Sequence, residues 1–175
     1  LSINQDYKIL SSSPERFINL NSDRVAETRP IKGSHKRDKD KQLDNIFANK
    51  LINSEKDISE NLMIVDLMRN DLSRVCEPGS VEVIDFCKLE SFAQIHHLVS
   101  VIRGRLKKET HAVDLLKLCF PGGSVTGAPK VRAMQIINEL EFAPRGAYCG
   151  AIFWLGFDGR LDSSITIRSI EVNKN

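Results

Sequence analysis

The chain has little net charge, no long hydrophobic run and no closely spaced cysteines. Its formal charge is +2 over 175 residues, and the one dense basic run, at 35–41, is interleaved with acids. Such a run is typical of a solvated loop that leads into a helix, so nothing in the charge pattern points to nucleic acid. No stretch is long or apolar enough to span a membrane. The start carries neither an initiator Met nor the apolar core of a signal peptide.

The four cysteines, Cys76, Cys87, Cys119 and Cys149, form no C-x-x-C pair. This spacing excludes the usual zinc and thioredoxin motifs. Each cysteine lies in or beside an apolar stretch, so we expect buried, reduced thiols and a cytoplasmic setting.

The composition is that of one ordinary globular domain, with 41% apolar and 27% charged residues. The chain begins without Met and stops within a strand-like pattern near residue 172. We therefore interpret residues 1–175 as one domain that is incomplete at both ends.

Strand-like and helix-like patterns occur in adjacent groups. Short β patterns at 7–10, 17–20 and 25–28 are joined at Pro14-Glu15 and at 21–23, as in hairpins. Two helices follow: the first has Leu43, Ile46, Phe47 and Leu51 at helical spacing, and the second has Ser54 and Asp57 in a capping-box-like pair and a predicted buried stripe of Ile58, Leu62, Val65 and Leu72.

The second half repeats this grouping. Two long β-rich stretches, 81–89 and 92–106, precede helices at 110–119 and 129–141, and a hairpin around Asp158-Gly159 closes the chain over 148–172. Adjacent strands and adjacent helices predict an α+β fold with a largely antiparallel sheet.

Several residues have the chemistry of a site, although each also has a structural interpretation. Lys32 precedes Gly33 in a Pro-Ile-Lys-Gly turn and could act as a nucleophile, but a surface lysine is the stronger local interpretation. Asp57 and Glu60 share a helix face and could hold Mg²⁺; in the structural interpretation, Asp57 caps the helix and Glu60 is solvated. Asp66, with Arg69 and Asp71, is interpreted as a structural charge cluster.

Other candidates are suited to anions. The Pro-Gly-Gly-Ser segment at 121–124 precedes a helix and could offer backbone N–H groups to a carboxylate or phosphate, although its spacing is not that of a P-loop. Arg168 alternates with apolar residues, so it should share a strand face with Thr166 and could take a carboxylate bidentately. His96 and His97 should point to opposite sides of a strand.

Taken together, the motifs resemble those of the chorismate-utilising enzymes, which include anthranilate, aminodeoxychorismate, isochorismate and salicylate synthases. The matching segments follow the family order at 13–17, 28–33, 60–71, 97–100, 121–134 and 162–168. Anthranilate synthases typically carry Pro-Ile-Ala-Gly where this chain has Pro-Ile-Lys-Gly, the form typical of aminodeoxychorismate synthases. The resemblance therefore implies a partial chorismate-binding domain, with layered, largely antiparallel sheets flanked by helices.

The resemblance also implies a reaction. Chorismate and ammonia would yield 4-amino-4-deoxychorismate for p-aminobenzoate and folate synthesis, with ammonia from a glutamine amidotransferase subunit. Lys32 would form a covalent adduct with the substrate, and Glu15 would act as acid and base. The alternatives are an anthranilate or isochorismate synthase, or an inactive fragment.

The remaining roles follow from matching positions. The resemblance implies that Glu60 binds Mg²⁺ directly and that Asp57 holds a metal-bound water. It implies substrate contacts for Gly33, Ser34, His97, Ser124, Tyr148 and Arg168, with Ser34 and Ser124 at positions that are usually Thr. The family's Gly-rich carboxylate loop and a further Mg²⁺-binding Glu follow the segment near 172 and are not in this sequence.

Overall fold

The computed structural model describes residues 1–174, which form an antiparallel sheet, a smaller two-stranded sheet and four α-helices. The strands are β1 Tyr7–Ser11, β2 Arg16–Leu20, β3 Val25–Thr28, β4 Ile31–Lys36, β5 Glu82–Ser91, β6 Ile95–Arg105, β7 Ala151–Leu155, β8 Leu161–Ile165 and β9 Ser169–Asn173. The helices are α1 Lys41–Ile52, α2 Glu55–Val75, α3 Ala112–Cys119 and α4 Lys130–Leu140, with a 3₁₀ turn at Gly123–Val125.

Strand β6 organises the larger sheet. One of its edges pairs with β5, and the other pairs with β3 and then β4, which lie end to end along it. From β3 the sheet continues through β2 and β8 to β7. All pairings are antiparallel, so the predicted α+β class with antiparallel sheet is confirmed.

The core lies between α2, α3 and this sheet. Helix α2 buries Ile64, Val65, Met68, Leu72 and Val75, which fall on one side of the helix. The predicted stripe was partly wrong, because Leu62 is 58% exposed. At 100° per residue Leu62 points away from Ile64, so one face cannot bury both.

Helix α1 is less buried than its periodicity predicted. Of its apolar residues only Leu51 is buried, whereas Leu43 and Ile46 are exposed. The helix packs on β4, β5 and β6 mainly through its C-terminal end and through Phe47, whose ring stacks on His35 with centroids 4.3 Å apart.

One predicted hairpin and one predicted continuous strand were wrong. Strand β1 pairs with β9 in the smaller sheet, so Pro14-Glu15 carries the chain between sheets and does not close a hairpin. The stretch 160–172 is not one strand, since it breaks after β8 and Arg168 has a φ of 50°. Arg168 therefore does not share a strand face with Thr166. The hairpins β2–β3 and β7–β8 are confirmed.

The four cysteines are free thiols. Burial raises the pKa of Cys76 to about 11 and that of Cys119 to about 12, so both are inert at neutral pH. Cys149 is also buried, but Cys87 is only half-buried, which corrects the expectation of four buried thiols. Within residues 1–174, no helix combines the length and the hydropathy needed to cross a bilayer.

Candidate active site

Lys32 lies on β4 where that strand runs beside β6. Ile31 pairs with Val99 and Ser34 with His97, and the register shifts between these two pairs. The Lys32 side chain is half-buried, and its amine donates a hydrogen bond to the Ser124 carbonyl at 3.2 Å. Lys32 is thus tied to the 3₁₀ turn, unlike a freely solvated surface lysine.

Glu15 lies beside this amine. Its side chain is buried, with 7% of the residue exposed, and burial raises its pKa above the ordinary value. The Ser124 hydroxyl, the charge of Lys32 and the Ile31 backbone N–H oppose that rise in pKa. Glu15, Lys32 and Ser124 therefore form one group, here called the lysine cluster, whose carboxyl is biased towards its protonated form.

Asp57 contacts the backbone next to Lys32. Gly33 has a φ of +90°, and a Cβ placed on it would lie 3.0 Å from both Cβ and Cγ of Asp57. Glycine is needed here because both the backbone conformation and the close approach of α2 exclude a side chain. Asp57 is thereby fixed beside β4.

The capping box predicted at the start of α2 is only half formed. The Ser54 hydroxyl accepts a hydrogen bond from the backbone N–H of Asp57 at 3.3 Å. The Ser54 N–H, however, donates to the Leu51 carbonyl and not to the Asp57 carboxylate. The Asp57 carboxylate is therefore not used as a cap.

Asp57 and Glu60 are two carboxylates on α2 whose chemistry would suit Mg²⁺. Glu60 lies one turn after Asp57 on α2, and its side chain is 45% exposed, with Lys56 Nζ 3.9 Å from Oε1. Among residues 1–174 no three His, Cys, Asp or Glu side chains are grouped as a metal site. Mg²⁺ is usually held by one or two carboxylates and keeps several waters, so this pair fits the ion.

A second group surrounds His97. The buried His97 ring has Nδ1 2.6 Å from the Ser34 hydroxyl, and burial together with the nearby Arg168 guanidinium lowers the pKa of His97. Arg168 is exposed and makes no ion pair within the described residues. Ser34, His97 and Arg168, here called the histidine cluster, thus offer a neutral imidazole beside a guanidinium suited to a carboxylate.

His96 points the other way, as predicted, and has a structural role. Its Nε2 lies 3.0 Å from Asp44 Oδ1, and its Nδ1 lies 2.7 Å from the Ser91 hydroxyl. Arg37 also binds Asp44 and holds the pKa of that carboxyl well below its ordinary range. This network fastens α1 to the β5–β6 pair.

Tyr148 approaches the lysine cluster from the opposite end of the sequence. It is 55% exposed and lines a cavity of about 590 Å³ together with Ser124, Arg145 and Cys149. The sequence did not single out Arg145, whose side chain donates to the Val125 carbonyl at 3.1 Å. Its proximity to Tyr148 in the chain was the only available signal.

Two structural interpretations of the sequence were wrong. Asp66 and Arg69 form an exposed pair at 3.7 Å, whereas Asp71 is buried and pairs with Lys130 at 2.5 Å, so the three do not form one cluster. The Pro-Gly-Gly-Ser segment leads into the 3₁₀ turn and not into a helix N-terminus. Helix α4 begins only at Lys130, with Pro129 as its N-cap.

Known proteins share both the sequence and the fold. The chorismate binding enzyme family matches residues 2–175. Aminodeoxychorismate synthase component 1 of Salmonella typhimurium is 58% identical over 94% of this chain and 36% of its own length. Anthranilate synthase component 1 of Bacillus subtilis is 50% identical over 95% of this chain and 32% of its own length.

A solved structure agrees with these matches. Anthranilate synthase component I of Streptococcus pneumoniae TIGR4 superposes with a TM-score of 0.86 at 39% identity, over 97% of this chain and 37% of that chain. The chain thus spans about a third of the length of the relatives it matches. On the sequence match across residues 2–175 and the shared fold, the chain belongs to the chorismate binding enzyme family.

Proposed function

We propose that the protein containing this chain converts chorismate and ammonia into 4-amino-4-deoxychorismate, for p-aminobenzoate and folate synthesis. The observation that carries the proposal is the lysine cluster, in which the Lys32 amine is held 3.2 Å from the Ser124 carbonyl beside the buried Glu15. The relative at 58% identity bears the name of this activity, which supports the same choice.

The first step is a displacement by Lys32. The unprotonated amine attacks C2 of chorismate, the two conjugated ring double bonds each shift by one position, and the C4–O bond breaks. Glu15 donates its proton to the departing hydroxyl, which leaves as water. Burial raises the pKa of Glu15, and a proton donor at neutral pH requires that direction of shift.

The second step restores the enzyme. Ammonia attacks C4, the two conjugated ring double bonds shift back, and the C2–N bond breaks to release the Lys32 amine. The Glu15 carboxylate removes one proton from the new C4 ammonium and returns to its protonated form. The sum of the two steps is replacement of the C4 hydroxyl by an amino group, with one water released.

Other residues hold the substrate. Arg168 takes a chorismate carboxylate, and the neutral His97, fixed by Ser34, forms the adjoining wall. Gly33 allows the backbone to approach closely, and Tyr148 lines the cavity next to Ser124. Asp57 and Glu60 would hold Mg²⁺, which when bound draws electron density from the ring carboxylate.

Ammonia would come from a partner. The relatives are named component 1, and such a name implies a second component. We propose that this component is a glutamine amidotransferase, which releases ammonia from glutamine.

The main alternative is anthranilate synthesis, because a relative at 50% identity is named anthranilate synthase. A lysine at position 32 favours the aminodeoxychorismate reaction, since its amine can occupy C2 and direct ammonia to C4. The test is to incubate the full-length protein with chorismate, Mg²⁺ and ammonia and to identify the product by mass spectrometry. We expect 4-amino-4-deoxychorismate. Anthranilate or isochorismate as the product would identify the protein as the corresponding synthase instead. Unconsumed chorismate would indicate an inactive remnant.

A further inference from the structure

The turn that receives Lys32 is anchored at one end by packing. The Cβ positions of Gly122 and Gly123 would collide with Ile165 and Leu67, so these two glycines sit directly on β8 and α2. Within the turn, the Thr126 hydroxyl donates to the Gly122 carbonyl at 2.9 Å. At the opposite end, Ser124–Val125, the Val125 side chain packs against the core, and the backbone carbonyls are bound by side chains that reach them from elsewhere.

Two basic side chains hold that opposite end. Lys32 Nζ donates to the Ser124 carbonyl at 3.2 Å, and an Arg145 terminal nitrogen donates to the Val125 carbonyl at 3.1 Å. Consecutive carbonyls are therefore fixed from two sides, one by β4 and one by the segment after α4. Because the Ser124 hydroxyl also faces Glu15, displacement of this peptide would disturb both members of the lysine cluster.

The donors of Arg145 are already committed. Its Nε lies 3.0 and 2.8 Å from the two carboxylate oxygens of Glu141, and a second terminal nitrogen bonds the same carboxylate. This contact lowers the pKa of Glu141 and raises that of Arg145. The guanidinium charge is thus compensated, in contrast to Arg168, which makes no ion pair among residues 1–174.

We propose that Arg145 is a positioning residue, which fixes the Ser124–Val125 peptide so that Lys32 and Glu15 stay aligned on the substrate. This inference rests on the proposed function. Its consequence is a loss of rate without a matching loss of substrate binding, because the side chain acts through the turn. A misplacement of about 1 Å can lower a rate by about 100-fold.

The test compares Arg145→Gln and Arg145→Lys with Arg132→Gln in the full-length protein. Arg132 is a matched control, because it is an exposed arginine on α4 whose side chain, among residues 1–174, hydrogen-bonds only to Glu139 and Gln135. Chorismate consumption is followed to obtain kcat and KM. We expect kcat of Arg145→Gln to fall by about 100-fold, with KM within about twofold. Arg145→Lys should recover about tenfold of that loss, because its ammonium can still donate to Val125.

Three outcomes would overturn the inference. A raised KM with unchanged kcat would make Arg145 a direct substrate contact. Unchanged kinetics would show that the turn does not need Arg145, and a lysine variant no better than glutamine would show that the bond to Val125 is irrelevant. If Arg145→Gln does not fold, Arg145→Lys alone must show the selective loss of kcat. Chorismate consumption is measured whichever product forms, so a different product would refute the proposed function while still deciding the role of Arg145.

Discussion

The amine of Lys32 and the carbonyl of Ser124 are joined by a 3.2 Å hydrogen bond across 92 positions of the chain. Strand β4 and the 3₁₀ turn can meet because α2 packs against both. The position of the candidate nucleophile is therefore set by a helix that contributes the candidate metal ligands Asp57 and Glu60 from its first two turns.

Replacing Lys32 by Ala should abolish formation of 4-amino-4-deoxychorismate while leaving chorismate binding largely intact. C2 of chorismate then has no tethered nucleophile to react with, whereas Arg168 and the proposed Mg²⁺ ligands Asp57 and Glu60 remain in place. Mass spectrometry of the protein after incubation with chorismate without ammonia should show an adduct that maps to Lys32 and is absent from the variant. Lys36→Ala, an exposed lysine of the same strand, should behave as wild type. An adduct on another lysine would contradict the assignment.

Replacing Glu15 by Gln should lower kcat by about 10²–10⁴-fold, as expected for loss of a general acid. The same change should stabilise the fold at neutral pH. Burial raises the folded-state pKa of Glu15 above 4.5, so the native state binds this proton more tightly than the unfolded chain. Stability contributed by the protonated form is complete below pH 4.5 and declines as pH rises through the folded pKa.

The stability effect can be measured by urea unfolding. The gain from Glu15→Gln should be small at pH 4 and larger at pH 7. An equal effect at both pH values would show that the Glu15 carboxyl does not titrate differently in the two states.

Replacing Gly33 by Ala should destabilise the fold and displace Asp57. The left-handed backbone costs a non-glycine residue about 1–2 kcal/mol, and the added Cβ would lie 3.0 Å from the Asp57 side chain. Gly79→Ala is a matched control, because Gly79 has a φ of +77° and nothing within 4 Å. The difference between the two unfolding free energies reports the contacts that the added Cβ would make with Asp57 and with Leu51 Cδ1, which would lie 3.1 Å away. Equal losses would mean that these contacts are unimportant.

Replacing Glu60 by Gln should weaken Mg²⁺ binding by at least about tenfold, and Asp57→Asn should weaken it less, because Asp57 is assigned to a metal-bound water. Titration calorimetry with MgCl₂ on the full-length protein measures both. Glu55→Gln removes an exposed carboxylate from the first turn of α2, where Asp57 also lies, and should leave the Mg²⁺ affinity unchanged. A comparable loss in all three variants would indicate only a general effect of negative charge.

Replacing Lys130 by Met should cost about 3–5 kcal/mol of stability, because it leaves the Asp71 carboxylate buried without its partner. The two side chains are 13% and 6% exposed. Arg69→Gln breaks the exposed pair with Asp66 and should change stability by no more than about 1 kcal/mol. Urea unfolding of both variants gives the comparison, and similar small losses would show that the Asp71 carboxylate is well solvated.

The sequence located most elements, because local patterns carry that information. The strand β3 and the long pair β5–β6 were predicted from apolar and β-branched runs, and the helices from apolar spacing. The buried faces of the helices were predicted less well. Leu62 and Ile46 fit a helical period and yet are exposed, since a period does not say which side another element will cover.

Connections between distant strands could not be predicted from local pattern. Nothing near Pro14 shows that β1 pairs with β9, because that pairing joins the two ends of the chain. In the same way, the left-handed residue Arg168 breaks what reads as one continuous strand. Both features depend on which sheet each strand joins, and that is a property of the whole fold.

By itself the sequence determined the family motifs and the α+β class, and it supplied every candidate site residue except Arg145, because these depend on residue type and order. Only the tertiary structure decided the groupings: Lys32 with Ser124 and Glu15, His97 with Ser34 and Arg168, and Asp57 against Gly33. It also revealed Arg145, whose bonds to Glu141 and Val125 follow no local pattern. Such groupings join segments far apart in the chain, so they exist only once α2 and the sheet have packed together.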